Sequence, residues 1–457
     1  MMIETAGIST RRNTLLPLIA LCLGFFMVII DVMVVNVALP SIAKDLAGNF
    51  SGLQWVVAGY TLTFASLLLS AGYLGDQVGA KPTLLWGLII FILTSLGCGI
   101  APNMLLLVIF RFFQGASAAL LVPTSLSLIN ASYEDNRQRA KAIGIWASIG
   151  GIAGGCGPVL GAVLTTYLGW RSIFLINIPI GLAAILLTVK YVANPTVGDK
   201  KGHFDFRGQI LGIMSVTALA FSLIEAGNLG WLSTAVILSF GIFLLAFTTF
   251  LWIEHRAIAP MFPLWMFQSK TFCVSTTAGF ILNVGGYGLL FILPFYFQQI
   301  RHYSVLMTGL ALLPMVALGI VIPYFSGRLV GSTGPKLAMF LGLLLGALGY
   351  FSLLITGENS PSYLALILPL VAIGLSSLCM PAATIAVIQS VPEGRAGTAS
   401  GAFNTCRQVG SLLGIAVFGT IIHTSPHFMT GMHRCLIIAG VLFLTGCLII
   451  LFFPKEK

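Results

Sequence analysis

GYLGDQVGAK, residues 72–81, returns 255 positions later as GRLVGSTGPK, residues 327–336, with Gly72, Leu74, Gly79 and Lys81 recurring as Gly327, Leu329, Gly334 and Lys336. A second landmark gives nearly the same displacement: Arg139-Ala140 recurs as Arg395-Ala396, 256 positions on. Glycine-rich loops resemble one another by chance, but two unrelated landmarks with one displacement point to a duplicated chain. What the duplicated unit contains decides the fold.

Outward from these loops the chain is apolar. Of its 457 residues 58% are hydrophobic and 8% charged, and the mean hydropathy is +1.01. A water-soluble protein of this length could not cover its surface with so few charges. The apolar runs reach the roughly 20 residues that a helix needs to cross a hydrocarbon core. They predict helices near 15–37, 52–74, 83–100, 104–129, 140–165, 173–193 and 208–226, then near 232–253, 272–297, 307–327, 337–356, 362–388, 397–422 and 434–453. The expectation is an all-α integral membrane protein of about fourteen helices. The displacement spans eight of them, which gives a 6+2+6 arrangement. Residues 1–195 form an N-terminal six-helix bundle, 196–256 two inserted helices and 257–457 a C-terminal six-helix bundle. Parallel repeats of this kind place a binding site near the midplane, between two halves that rock about it.

The formal net charge of +10 raises the question of nucleic acid, and its distribution answers it. With the N-terminus inside, Arg11, Arg12, Lys81, Arg137, Arg139, Lys141, Lys190, Lys200, Lys201, Arg207, Arg256, Lys270, Arg328, Lys336, Arg395, Lys455 and Lys457 fall in inner loops and tails. Only Lys44, Arg171, Arg301 and Arg434 fall outside, while Arg111 and Arg407 lie within helices. This bias is the positive-inside signature. It predicts a multi-pass protein of the cytoplasmic membrane with both termini cytoplasmic, and no nucleic-acid partner. No phosphate-binding GxxxxGK[ST] loop occurs, so ATP is not the direct energy source. No nucleophile–base or metal-ligand constellation appears either, and the expectation is a non-enzyme without cofactor or metal.

Inside the first helix, MVIIDVMVVNVALP (27–40) carries Asp31. A charge in the bilayer costs roughly 2.5–3.5 kcal/mol on insertion scales, so it faces a cavity or a partner. Asp31 lies six residues from the expected outer end of helix 1, and Arg111 seven from the start of helix 4. These are depths of about 9 and 10.5 Å, nearly level. Either the two form a static strut, or Asp31 titrates as its exposure and its distance from the cation change. One titrating site implies one proton per cycle. Glu225, at the outer end of helix 7, is a further candidate for proton handling. Arg407, in helix 13, and the aromatic residues Trp55, Tyr60, Trp146, Tyr287 and Phe291 are candidates for lining a cavity for flat lipophilic cations. Asn36, Gln114 and Asn404 complete the cavity candidates. In helix 5, GGCGPVLGA (154–162) sets Pro158 beside Gly157, which removes a backbone donor and permits a kink. Gly154, Gly157 and Gly161 allow close approach of a neighbouring helix.

These stretches resemble the major facilitator superfamily, and within it the fourteen-helix drug:proton antiporters. The likeness covers essentially the whole chain. GYLGDQVGAKPTL resembles the superfamily's loop signature through Gly72, Leu74, Asp76, Gly79, Lys81 and Leu84, with Gln77 and Ala80 where basic residues are usual. RFFQGASAA (111–119) is similar to the helix 4 proton-coupling motif and GGCGPVLGA to the helix 5 antiporter motif, with Ala162 replacing its last glycine. DVMVVNVALP is similar to the helix 1 motif of fourteen-helix exporters, with Met33 where threonine is typical. WRSIFLINIPIG (170–181) and NTCRQVGSLLG (404–414) are further family-like stretches.

The resemblance implies a proton-driven exporter of lipophilic, cationic drugs or toxic compounds, working by alternating access as a monomer among membrane lipids. It implies that Asp31 and Arg111 carry proton coupling. Gly72, Asp76, Gly79 and Lys81 would form the cytoplasmic gate, with Asp76 pairing to the start of helix 13. Helix 5 would seal one side of the pathway. Export of one endogenous metabolite, lipid or antibiotic is the alternative, and a receptor that binds without transport is a third.

Overall fold

The structure, a computed structural model, describes residues 15–133, 135–194, 205–257, 260, 262–357, 362–392 and 395–452. Arg11, Arg12, Lys200, Lys201, Lys455 and Lys457, and the expected bundle boundary at 195–196, lie outside these residues. Among them all regular structure is helical, and fourteen helices are long and apolar enough to cross a membrane. They are α1 (Leu15–Asp45), α2 (Phe50–Val78), α3 (Ala80–Gly99), α4 (Met104–Ser132), α5 (Arg137–Leu168), α6 (Ser172–Tyr191) and α7 (Phe206–Leu229). The second seven are α8 (Thr234–Arg256), α9 (Lys270–Ile300), α10 (Val305–Thr333), α11 (Pro335–Ile355), α12 (Tyr363–Gln389), α13 (Ala396–Thr424) and α14 (Phe428–Phe452).

Short loops open on residues whose side chains accept from the first free backbone amides. Asn49 accepts from Gly52 N at the start of α2, Asn103 from Leu106 N at α4 and Asp135 from Gln138 N at α5, each at 2.9 Å. Asp205, Ser269 and Ser304 do the same for α7, α9 and α10. Such caps satisfy amides that have no partner in a preceding turn. The starts of α3 and α11 are built differently, on Gly79 (φ 106°) and Gly334 (φ 80°). This is left-handed backbone, which a Cβ disfavours.

The duplication is visible in the element ends. Adding 255 carries Leu15 and Asp45 of α1 onto Lys270 and Ile300 of α9, and Phe50 and Val78 of α2 onto Val305 and Thr333 of α10. The loop lysines repeat a contact as well as a position. Lys81 Nζ donates to the carbonyls of Val189 and Val192 at 3.2 and 2.7 Å, closing the end of α6. Lys336 Nζ donates to Leu451 O at 3.3 Å, at the end of α14. A cation at a helix C-terminus satisfies free carbonyls and complements the dipole. Each copy thus ties its third helix to its last.

α7 packs along α8 and lies against α2 and α13. Gln209 Nε2 donates to Ser66 O at 2.8 Å, and Ser51 Oγ and Trp55 Nε1 donate to Glu225 Oε1 at 2.8 and 2.7 Å, so α7 holds α2 at both ends. Thr420 Oγ1 of α13 donates to Leu223 O at 2.6 Å.

The helix ends correct the sequence expectation in two ways. α1 continues past Val37 and through Pro40 to Asp45, because buried neighbours hold a helix that has lost one backbone bond. Asp31 is therefore fourteen residues from its end, about 21 Å rather than 9 Å. Three spans are also interrupted: α6 at Ile176, α10 at Leu312 and Ala317, and α12 in a 3-10 turn over Ser376–Leu378. The breaks at 176, 312 and 376–378 come shortly before Pro179, Pro314 and Pro381, whose rings cannot donate to the preceding turn.

Gly79→Val and Gly334→Val are each expected to cost about 1–2 kcal/mol, the left-handed penalty for a side chain, read as a lower denaturation midpoint of the purified protein. A midpoint unchanged in both variants would show that these turns relax without cost.

Candidate functional site

Asp31 is completely buried, and four helices converge on it. Arg111 Nη1 of α4 lies 2.5 Å from Oδ2, while Gln114 Nε2 of α4 and Asn177 Nδ2 of α6 both donate to Oδ1 at 2.9 Å. Ser95 Oγ of α3 accepts from Gln114 at 3.2 Å and Asn177 at 3.0 Å, and donates to Phe174 O at 2.8 Å. Arg111 spends its other donors on Val56 O (2.9 Å) and Gln114 Oε1 (2.8 Å), and its guanidinium lies 4.3 Å from the Tyr60 ring centroid. Arg111, Gln114, Asn177, Ser95 and Tyr60 are all at most 1% exposed. An arginine and two amide donors thus satisfy both carboxyl oxygens of Asp31 within the protein.

The geometry sorts the other candidates by neighbourhood. Tyr60 and Gln114 belong to the carboxylate network. Phe291 is fully buried against Phe50, and Phe50 also meets Phe295 and stacks on His423 at centroid distances of 5.3 and 5.9 Å. Trp55 and Glu225 form the α2–α7 contact, with Asn228 Nδ2 3.1 Å from Glu225 Oε2. Asn36, 3% exposed, donates to Val32 O in its own helix. Trp146, Tyr287, Asn404 and Arg407 are half-buried. Trp146 stacks on Phe25 at 3.8 Å and donates to Ser125 Oγ at 3.2 Å, and Arg407 Nη1 donates to Asn404 Oδ1 at 2.9 Å.

In α5 the small residues face two ways. A Cβ on Gly157 would stand 2.3 Å from Met33 Cβ, and one on Gly161 2.7 Å from Val34 O, so both faces are occupied by α1. Pro158 O and Ala162 Cβ lie against Gly309 of α10, where a Cβ would meet them at 2.7 and 2.4 Å. Gly154 meets nothing within 4 Å. α5 is therefore wedged between α1 and α10 across the seam of the halves. The seam is also closed on the Asp45 side by Gln54 Nε2, which donates to Ile415 O and Ala416 O at 3.3 and 3.0 Å, and by Gln298 Nε2 on Val37 O at 3.0 Å. On the opposite side Asp76 is exposed and, among the described residues, makes no hydrogen bond or ion pair. Gly72 has open space around it, and Lys81 is spent on α6.

Comparison with known proteins bears on the whole arrangement. The Major Facilitator Superfamily profile matches residues 21–415. The chain belongs to the Major Facilitator Superfamily. It is 34% identical over 449 residues to the Methylenomycin A resistance protein of Bacillus subtilis, covering 97% of this chain and 95% of that one. It is 36% identical over 412 residues to Multidrug resistance protein Stp of Mycobacterium tuberculosis, covering 90% of this chain and 76% of that one. In structure it superposes on a POT family transporter in complex with 5-aminolevulinic acid, with a TM-score of 0.71 and 14% identity, over 97% of this chain and 96% of that one. That likeness is one of fold.

For this superfamily member two residues of the network, Ser95 and Asn177, escaped sequence reasoning. Asn177 lies inside WRSIFLINIPIG, just before the proline that breaks α6. A strong amide donor at a helix break deep in an apolar span was the available signal. Ser95 gave none, since serines recur throughout these helices.

Arg111→Gln should orphan a buried carboxylate and cost about 3–5 kcal/mol, measured by thermal denaturation of purified protein. Adding Asp31→Asn should recover most of that loss. A single variant as stable as the parent would mean that water reaches Asp31.

Proposed function

We propose that this protein is a proton-driven efflux transporter for lipophilic drugs, working as a monomer in the cytoplasmic membrane with both termini inside. The observation that carries the reading is the sealed Asp31 network, one carboxylate joining α1, α3, α4 and α6 within an apolar interior. A proton on Asp31 cancels the ion pair while Arg111 keeps Val56 O and Gln114 Oε1. α1 is then free to shift relative to α4. Met33 and Val34, two and three residues further on, press on Gly157 and Gly161 of α5, and α5 meets Gly309 of α10 across the seam. Protonation thereby acts on the contact that separates the halves. With the Asp45 side outside, the described conformation is closed outward, and Asp76 awaits a partner on the cytoplasmic side for the opposite state. The relatives' names, drug and antibiotic resistance proteins, support drugs as cargo. A pH gradient supplies about 1.4 kcal/mol per unit for each proton. The relative named for methylenomycin A alone favours a second reading, a dedicated exporter of one compound.

In everted vesicles, adding a transported drug should release protons, and Asp31→Asn should abolish this while the protein still inserts. Asp31→Glu should keep part of the activity. Asp31→Asn with Arg111→Gln should be stable yet inactive; transport by that double variant would reduce Asp31 to a strut. A drug panel separates multidrug from dedicated export.

Reporters fused near residues 45, 102 and 228 should read outside, and those near 80, 136 and 200 inside. An outside reading near 200 would contradict the proposed orientation.

A further inference from the structure

Arg407 is a cation in the interior that the network above does not use. Its Nη1 is on Asn404, but Nε is buried without a partner and Nη2 makes no hydrogen bond among the described residues. Its stem passes Gly279 of α9, where a Cβ would stand 3.3 Å from Arg407 Cγ, and the guanidinium lies 5.6 Å from the Phe403 ring centroid. Tyr287 of α9 and Cys379 of α12 are within its electrostatic reach. Gly286, beside Tyr287, faces open space.

Among the described residues no carboxylate pairs with it. Of thirteen acids, Asp31 lies well inside its span and Glu225 four residues from the end of α7, and both are engaged. Glu254 sits two residues from the end of α8, and the others lie at span ends or between spans. An unpaired cation in a membrane interior is costly and marks a site. The free Nε–Nη2 edge of a guanidinium is the one that accepts a carboxylate with two parallel bonds.

We propose that Arg407 is the recognition point for an organic-acid substrate, its carboxylate on the Nε–Nη2 edge and its apolar ring body against Phe403 and Tyr287. This rests on the efflux reading and narrows its cargo to lipophilic anions. A cationic drug meets a like charge at Arg407, and Asp31 is filled by three donors. Exchange of one proton for one monoanion carries two charges the same way, so the membrane potential drives export as well as the pH gradient.

The test uses the full chain in lipid nanodiscs with pyrenebutyrate and the matching pyrenebutyl-trimethylammonium cation, followed by fluorescence. The parent should bind the acid saturably and the cation weakly. Arg407→Gln should weaken acid binding at least tenfold and improve cation binding. Arg407→Lys, which keeps the charge and loses the two-bond geometry, should fall between, and it decides the matter if the glutamine variant does not fold. Preference of the parent for the cation, binding of neither probe, or unchanged acid affinity in the variants overturns the proposal. Proton release in everted vesicles separates the readings. Release evoked by the cation alone leaves efflux standing and removes the anion site, whereas acid binding without any release does the reverse.

Discussion

Four helices of the first half meet at a single negative charge that water cannot reach. Desolvation makes Asp31 expensive unless every lone pair is answered, so α4 must deliver Arg111 and Gln114 to it, and α6 must deliver Asn177. Ser95 then orients the two amides from α3. Met33 and Val34, two and three residues on from Asp31, meet Gly157 and Gly161, so α1 carries both the carboxyl group and the contact with α5. Few other polar contacts in the apolar interior demand so much mutual placement.

The fold was legible because membrane spans are written in composition, and because the polar loops between them are short enough for a repeat to stand out. Asp31 and Arg111 were legible for the same reason: charges are scarce, so two at one depth were conspicuous. Their pairing survived an error in that depth, since helix ends are set by buried neighbours and Pro40 did not stop α1. Azimuth was not legible. A helix buried on several sides has no polar face to orient it, so the contacts of Trp55 with Glu225 and of Phe291 with Phe50 came from the structure alone. Uncharged polar residues were too common to single out Ser95.

The two copies differ at the position of the buried carboxyl group. The position 255 after Asp31 is Gly286, and open space stands where the first copy has its carboxylate. In the first copy Asp31 and Arg111 pair with each other, whereas in the second Arg407 Nε has no hydrogen-bond partner among the described residues. One half buries an ion pair and the other a guanidinium nitrogen without a partner among the described residues.

The paired lysines of the two loops have a mechanical consequence. Lys81 joins α3 to α6 and Lys336 joins α11 to α14, so both latches lie within a half and neither crosses the seam. Rocking one half against the other therefore leaves them intact. The seam itself is held by the packing of α2 on α13 and of α5 on α10, together with two glutamine side chains on backbone carbonyls, a glycine seated beside Pro158, and the rings around Phe50. None of these named side-chain contacts is an ion pair, so parting them would leave no buried charge behind.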